Sequence, residues 1–278
     1  MRVGLTGATG TLGRHVLAAL RGRGIEPDVF TGDVTDAPVT ASWAQACGLV
    51  IHCAAMVPVR EVEADPARAL AVNAGGTINI ATGLARTGGR LALVSTSHVY
   101  EPSDDPIAED GALGPATAYG MTKLDAENWA RRMLPDALVL RLFSYFDARQ
   151  DPLFVVPALA FRIERAAQGE SLDLFGADST RDMADAAWLA GRLVDLALGS
   201  ATGAVNVCTG RGFAIRDLAA RLAAAMGRSD VSFVPAGTGR NALVGANGKM
   251  CSLLPELPPF DLDEALAAFV EAREKAGA

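Results

Sequence analysis

Thr6-Gly7-Ala8-Thr9-Gly10-Thr11-Leu12-Gly13 follows directly on the apolar run Met1-Arg2-Val3-Gly4-Leu5. The run reads as a short buried strand. Leu12, Val16, Leu17 and Leu20 recur at helical spacing, so Leu12 to Arg23 reads as a helix. The glycines therefore fall at a strand-to-helix turn. Gly7 takes a tight turn without a Cβ clash. Gly10 lets the backbone approach a pyrophosphate, and Gly13 lets the helix pack close to the sheet. The free N–H groups of the helix start, with its dipole, then face the phosphates. The spacing differs from Gly-x-Gly-x-x-Gly, and no Lys-Ser or Lys-Thr follows, which sets aside a P-loop. Alone, such a turn is equally a plain connector.

Strand and helix signals alternate outward from this turn. Leu49 to Cys53 and Arg90 to Val94 read as strands, and Pro66 to Arg86 as a helix. Ala118 to Met133 reads as a helix and Ala137 to Phe143 as a strand. The alternation predicts a Rossmann-like, doubly wound parallel α/β sheet. Its ligands would bind at the carboxyl ends of the strands. Glu101 to Pro115, rich in Pro, Asp and Gly, reads as a loop long enough to be a lid.

From Asp147 the pattern changes. Leu153 to Gly169, Ala184 to Gly199 and the segment around Ile215 to Met226 read as helices. A capping box at Asp261-Leu262-Asp263-Glu264 opens another. Leu172 to Phe175 and Val231 to Val234 read as short strands, and Pro235 to Gly248 as a mobile glycine-rich stretch. Residues 1–146 are expected to form a cofactor-binding domain and 147–278 a smaller α+β substrate lobe. Val205 to Cys208 is a candidate to return to the main sheet.

Tyr119 and Lys123 lie one turn apart on one face of the predicted helix. A phenol titrating near ~10 is a poor acid–base group at neutral pH. A nearby ammonium lowers that value. Tyr119 can then exchange a proton with a carbonyl or hydroxyl oxygen while hydride moves at the adjacent carbon. Without the upstream turn, an ordinary surface Tyr and Lys is the simpler account.

The ordered motifs resemble the extended short-chain dehydrogenase/reductase family, also called the NAD-dependent epimerase/dehydratase family, in its nucleotide-sugar branch. Thr6 to Gly13 is similar to the family's cofactor turn, and Gly32-Asp33-Val34-Thr35-Asp36 to its adenine-contacting segment. Val50 to Ala55, Val72 to Thr77, and Leu93 to Tyr100 resemble further landmarks. Tyr119 and Lys123 match the catalytic pair, and Thr96 falls on the catalytic hydroxyl. Leu140 to Phe143 and Thr180-Arg181-Asp182-Met183 resemble later ones. Departures are Glu101, Ser144, Phe146-Asp147 and Ala187-Trp188.

The resemblance implies an NAD(P)(H) cofactor held by Gly7, Thr9, Gly10, Thr11, Leu12, Gly13, Arg14, Asp33, Val34, Ala54, Ala55, Asn73, Tyr119 and Lys123. The expected substrate residues are Thr96, Ser97, His98, Ser144 and Arg181. Ser97 points away from Thr96 if the strand continues, and a His such as His98 is more often only a structural residue. His52 is expected beneath the cofactor as a hydrogen-bonding core residue. Asp33 can hold adenine or cap the following turn. Arg181 can take a diphosphate or pair with Asp182 or Asp185. Thr31-Gly32 offers no acid for an adenosine ribose diol, and Arg14 follows the third glycine, a pattern that leans to NADPH over NADH. The implied reaction is reduction of a 4-keto-deoxysugar carried on a nucleotide. Ser97-His98 stands after Thr96, where the 4,6-dehydratases have Asp-Glu. An epimerase that retains NAD is the alternative, and a non-catalytic cofactor-binding regulatory protein is the third reading. The family's habit of pairing helices implies a homodimer through those beginning near Pro66 and Ala118.

The 278 residues suffice for one large or two closely joined domains, and half are hydrophobic. A net charge of −7 argues against nucleic-acid binding. Four cysteines without a C-x-x-C pair, and three scattered histidines, predict no metal site and buried, reduced thiols. The first apolar run is too short for a secretory leader, and no run has the length of a membrane span. A cytoplasmic protein with no membrane partner is expected.

Overall fold

The computed structural model describes residues 1–237, 241–256 and 258–277. The first half runs β1 (Val3–Thr6), α1 (Thr11–Gly22), β2 (Asp28–Phe30), α2 (Ala37–Gln45), β3 (Leu49–His52), α3 (Val59–Ala64), α4 (Pro66–Leu70), α5 (Gly76–Ala85), β4 (Arg90–Thr96), α6 (Ala118–Met133) and β5 (Leu138–Leu142). The second half runs β6 (Ser144–Phe146), α7 (Val155–Arg165), β7 (Ser171–Phe175), β8 (Thr180–Asp185), α8 (Ala186–Leu198), β9 (Gly203–Val207), β10 (Gly212–Ala214), α9 (Ile215–Ala225), β11 (Ser232–Ala236), β12 (Ala242–Leu243), α10 (Gly248–Leu253) and α11 (Leu262–Gly277).

Six strands form one sheet in the order β2-β1-β3-β4-β5-β9, every pair parallel. Residues of β1, β3 and β5 are buried throughout, as expected of strands covered on both faces. Leu12, Val16 and Leu20 of α1 share one core with Leu189, Leu193 and Leu196 of α8. Ala44 of α2, Ile80 and Leu84 of α5, and Ala126 and Ala130 of α6 close the other face over Val50, Leu91 and Leu93. The sheet is thus doubly wound, and strand β9 enters it from beyond β6 to β8. Those strands belong to a second layer: β8 is flanked by β10 and β12 and also pairs with β6, while β7 pairs with β11.

Five expectations need correction. The helix from Pro66 to Arg86 is interrupted by a π-turn at Ala71–Gly75. Strand β4 stops at Thr96, and Ser97–Val99 is a single 3₁₀ turn, so strand alternation does not set the direction of Ser97. The 101–115 loop is fastened at its middle. Ile107 N donates to Val244 O and Ala246 N to Ile107 O, so this segment is a strap to residues 244–246. Those same contacts, with β12 against β8, hold part of the stretch expected to be mobile; residues 238–240 of it lie outside the described residues. Cys251 is exposed, unlike Cys47 and Cys208.

Candidate active site

The carboxyl ends of β1, β3, β4 and β5 converge beside the amino end of α1. Gly7 has φ +69°, and a Cβ there would lie 2.6 Å from Ala54 N. A Cβ on Gly13 would lie 1.9 Å from Gly7 O. The protein's own packing therefore demands both glycines. Gly10 differs: a Cβ there would meet only Gly7 O, at 3.4 Å. Gly10 and Thr9 are exposed, Thr11 and Arg14 half-buried, and the Leu12 side chain lies in the core. Helix α1 has no side-chain cap and no acid in its first turn. An uncapped helix start behind an exposed glycine fits a pyrophosphate.

Beneath the turn, Ala54 N donates to Thr6 Oγ1 at 3.1 Å. The Thr6 hydroxyl also shares a hydrogen bond with His52 Nδ1, 2.7 Å away. Burial, then the charge of Lys123, holds His52 down to about 3, so the ring is neutral. Ala54 and Ala55 are half-buried at this strand end.

Thr96 ends β4, accepts from His98 N at 3.2 Å, and lies close enough to Tyr119, in the first turn of α6, to favour the phenolate. Tyr119 and Lys123 are 9% and 2% exposed. The expected lowering of the phenol does not occur: burial pushes Tyr119 up to about 12, against the opposing influence of the Thr96 hydroxyl. Burial likewise brings Lys123 down to about 8, against the favourable charge of Glu127. Tyr119 is therefore a proton-bearing phenol at neutral pH, while most Lys123 side chains remain charged. The His98 ring stands edge-on to Tyr119 at 5.9 Å between centroids. Burial, then the charge of Arg181, pushes His98 below the usual imidazole range.

Arg181, on β8, is thus within electrostatic reach of His98. It donates to Thr180 O at 2.9 Å, Asn241 O at 3.1 Å and Asn241 Oδ1 at 2.7 Å. Neither anticipated acid pairs with it. Asp182 takes Thr209 N and Oγ1 and Gly210 N, while Asp185 caps α8 through Trp188 N. Among the described residues, no carboxylate lies within ion-pair distance of Arg181. Ser144 is half-buried at the start of β6.

Three of the cofactor candidates have partners within the protein. Arg14 forms an ion pair with Asp147, which also binds His15. Its guanidinium is thus already paired within the protein. Asn73 is fully buried; it accepts from Met56 N at 2.8 Å and donates to Met56 O and Thr122 Oγ1. It clamps the loop after β3 to α6 and presents nothing outward. Asp33 accepts from Thr35 N and Oγ1 and so closes its own turn, which holds its carboxyl below the usual range. Val34 is buried against Gly76. Sequence reasoning missed Tyr145, whose hydroxyl lies within electrostatic reach of Tyr119, Cys53, Arg14 and Asp147. Its only signal was an aromatic next to Ser144.

This doubly wound sheet, with its glycine turn and Thr96–Tyr119–Lys123 cluster, is that of an extended short-chain dehydrogenase/reductase of the nucleotide-sugar branch. The chain belongs to the RmlD substrate binding domain family, whose model matches residues 1–202. It is 37% identical over 138 residues to a dTDP-4-dehydrorhamnose reductase from Streptomyces griseus, a match covering 48% of this chain and 45% of that protein. The match thus spans less than half of that relative's length. It is 30% identical over 249 residues to a GDP-6-deoxy-D-mannose reductase from Pseudomonas aeruginosa, covering 80% of this chain and 79% of the relative. A solved structure of RMD from Pseudomonas aeruginosa complexed with NADPH superposes with a TM-score of 0.87 at 24% identity, covering 99% of each chain. No helix among the described residues is long and apolar enough to cross a membrane.

Proposed function

We propose that the protein is an NAD(P)H-dependent reductase of a 4-keto-deoxysugar carried on a nucleotide. Residues 1–146, joined by α8 and β9 from the second half, hold the cofactor, and the rest of 147–278 forms the substrate lobe. The observation that carries the reading is the buried Tyr119 phenol, with Thr96 beside it and Lys123 one turn on, and Arg181 within electrostatic reach of His98 and free of any described carboxylate. The relatives named above as reductases support it. The cofactor, when bound, supplies hydride to the keto carbon. Gly7, Gly10 and Gly13 with the N–H groups opening α1 receive its pyrophosphate, Lys123 its nicotinamide ribose, and Val34 its adenine. Thr96 and Tyr119 both hydrogen-bond the keto oxygen, and Tyr119 gives it a proton as the carbon is reduced. A phenol held above its ordinary value enters in the proton-bearing form that reduction needs. The opposite direction, with which an epimerase begins, needs the phenolate.

The test is a panel of nucleotide-linked keto sugars with NADPH and with NADH, followed by loss of nicotinamide absorbance. Turnover with exchangeable cofactor is expected. NAD retained through purification, with interconversion of sugars and no net consumption, would replace this reading by an epimerase. The lean to NADPH rests on β2, which ends in Phe30-Thr31-Gly32 without an acid. Clearly tighter NADH binding overturns it.

Arg181→Ala is expected to raise KM for the nucleotide sugar by roughly 10–150-fold, the loss of a charge-assisted hydrogen bond of about 1.5–3 kcal/mol. Cofactor affinity stays unchanged. The melting temperature falls slightly, because the bonds to Asn241 also go. An unchanged KM with the same fall in melting temperature leaves Arg181 only a structural role.

The same reading includes a cytoplasmic location and a homodimer through α4, α5 and α6. Leu70 on α4 and Met121 and Trp129 on α6 are exposed, the last two on one face two turns apart. Light scattering at micromolar concentration is expected to give twice the chain mass; a monomer counts against the pairing.

A further inference from the structure

Tyr119, Lys123 and Glu127 follow one another at successive turns along one face of α6, and Glu127 is completely buried. Its carboxylate accepts from Arg141 Nε at 3.1 and 3.2 Å, Arg141 Nη2 at 2.7 Å and Ser95 Oγ at 2.5 Å. Arg131, one turn further, lies 3.6 Å away. Arg141 is itself fixed by Tyr100 Oη at 2.8 Å and Glu109 O at 2.9 Å. Tyr100 Oη donates to Asn206 Oδ1 at 2.7 Å, and Asn206 N donates to Glu109 Oε1 at 2.9 Å. Strands β4, β5 and β9, helix α6 and the strap thus share one buried polar cluster behind Lys123.

The proposed chemistry leaves Glu127 unused, since it touches neither substrate nor cofactor. We propose that Glu127, held by Arg141 and Ser95, is a positioning residue for the reduction: its carboxylate keeps the buried Lys123 charged beside Tyr119. The groups facing Lys123 are Tyr119 and Glu127 on its own helix and His52 and Cys53 at the end of β3. Burial holds His52 neutral and pushes the Cys53 thiol up to about 12, and Tyr119 keeps its proton. Glu127 is the one anion among these four. Without it, burial acts on Lys123 unopposed, and the ammonium is lost at lower pH.

The inference rests on the reductase reading, and its test separates the two. The test compares wild type with E127M/R141M, which replaces both charges by apolar side chains of similar length. Wild-type kcat/KM is expected to fall as pH rises through the Lys123 titration near about 8. In E127M/R141M that limb moves down by about one unit. Activity is then lower by roughly tenfold on the alkaline side and recovers toward wild type near pH ~6. NADPH binding, read by quenching of tryptophan fluorescence without any sugar, follows the same displaced limb. A purely structural pair predicts a changed melting temperature and an unmoved limb. E127D keeps the charge and its partners for a fold that rejects the double change; drawing the carboxylate back, it moves the limb the same way by a smaller step. A limb at the wild-type position in whichever variant folds overturns the proposal. Wild type that binds NADPH but reduces no keto sugar overturns the reductase reading instead, and the binding limb still decides the role of Glu127.

Discussion

Tyr119→Phe is expected to lower kcat by roughly 10²–10⁴-fold, the usual contribution of a general acid, with cofactor binding close to wild type. The removed hydroxyl is the group placed to give the keto oxygen its proton, and Thr96 alone cannot replace it while its own proton is far less acidic. Lys123, which holds the ribose, is untouched. Thr96 Oγ1 keeps its bond from His98 N, and Tyr119 O its bond from Thr122 Oγ1, so the melting temperature stays close to wild type. Because the Tyr119 phenol sits at about 12, the wild-type alkaline limb below that pH belongs to Lys123 and not to Tyr119. Steady-state rates and a cofactor titration on one preparation check both halves. Turnover within a few-fold of wild type removes Tyr119 from the mechanism.

The second large effect comes from two alanines three residues apart. In Gly13→Ala the new Cβ falls 1.9 Å from Gly7 O and 2.7 Å from Gly7 C, backbone atoms that have no side-chain freedom to yield. Helix α1 must withdraw from the turn, at a cost of about 1–3 kcal/mol or more, and cofactor binding is lost with it. In Gly10→Ala the new Cβ meets only Gly7 O at 3.4 Å, an ordinary contact. Its melting temperature is expected to match wild type, while cofactor affinity drops roughly tenfold or more, as a loss of about 1.4 kcal/mol requires. Thermal melts and cofactor titrations of the pair read both. A Gly10→Ala protein that binds cofactor like wild type rules out pyrophosphate at this turn.

Much of this was legible because it is local. The turn at Gly7 to Gly13 and the pair at Tyr119 and Lys123 depend on spacings within a few residues. The alternating strands of the sheet are apolar runs of strand length. What escaped reading depends on partners remote in sequence. Arg14 meets Asp147 across the whole cofactor domain, and nothing beside Arg14 signals an acid waiting there. Asn73 resembles a cofactor contact in its motif, yet a π-turn and the backbone of Met56 absorb its amide. Arg141 read as a landmark of β5, while its partner Glu127 lies on α6 and the strap oxygen of Glu109 in a loop. Helix α2, short and with little amphipathic pattern, gave no periodic signal; Asp36, which caps it, precedes a segment with Pro38 and Thr40. The phenol of Tyr119 shifted opposite to expectation because burial, which a spacing argument does not weigh, exceeds any charge nearby.

Strand β9 has a consequence for biosynthesis. Strand β5, buried along its whole length in the finished protein, leaves the ribosome with one side unpaired. Its partner is made only after β6 to α8 have been translated, roughly sixty residues later, which at about 5–20 residues per second is a wait of several seconds. During that interval the nascent sheet carries an apolar edge of the kind that recruits other strands. The guanidinium of Arg141 then has Glu127 but not yet Asn206 to complete its surroundings. Slow elongation through the substrate lobe would lengthen this exposure, so soluble yield should respond to chaperone supply and to codon choice between Ser144 and Val207 more than to either elsewhere in the chain.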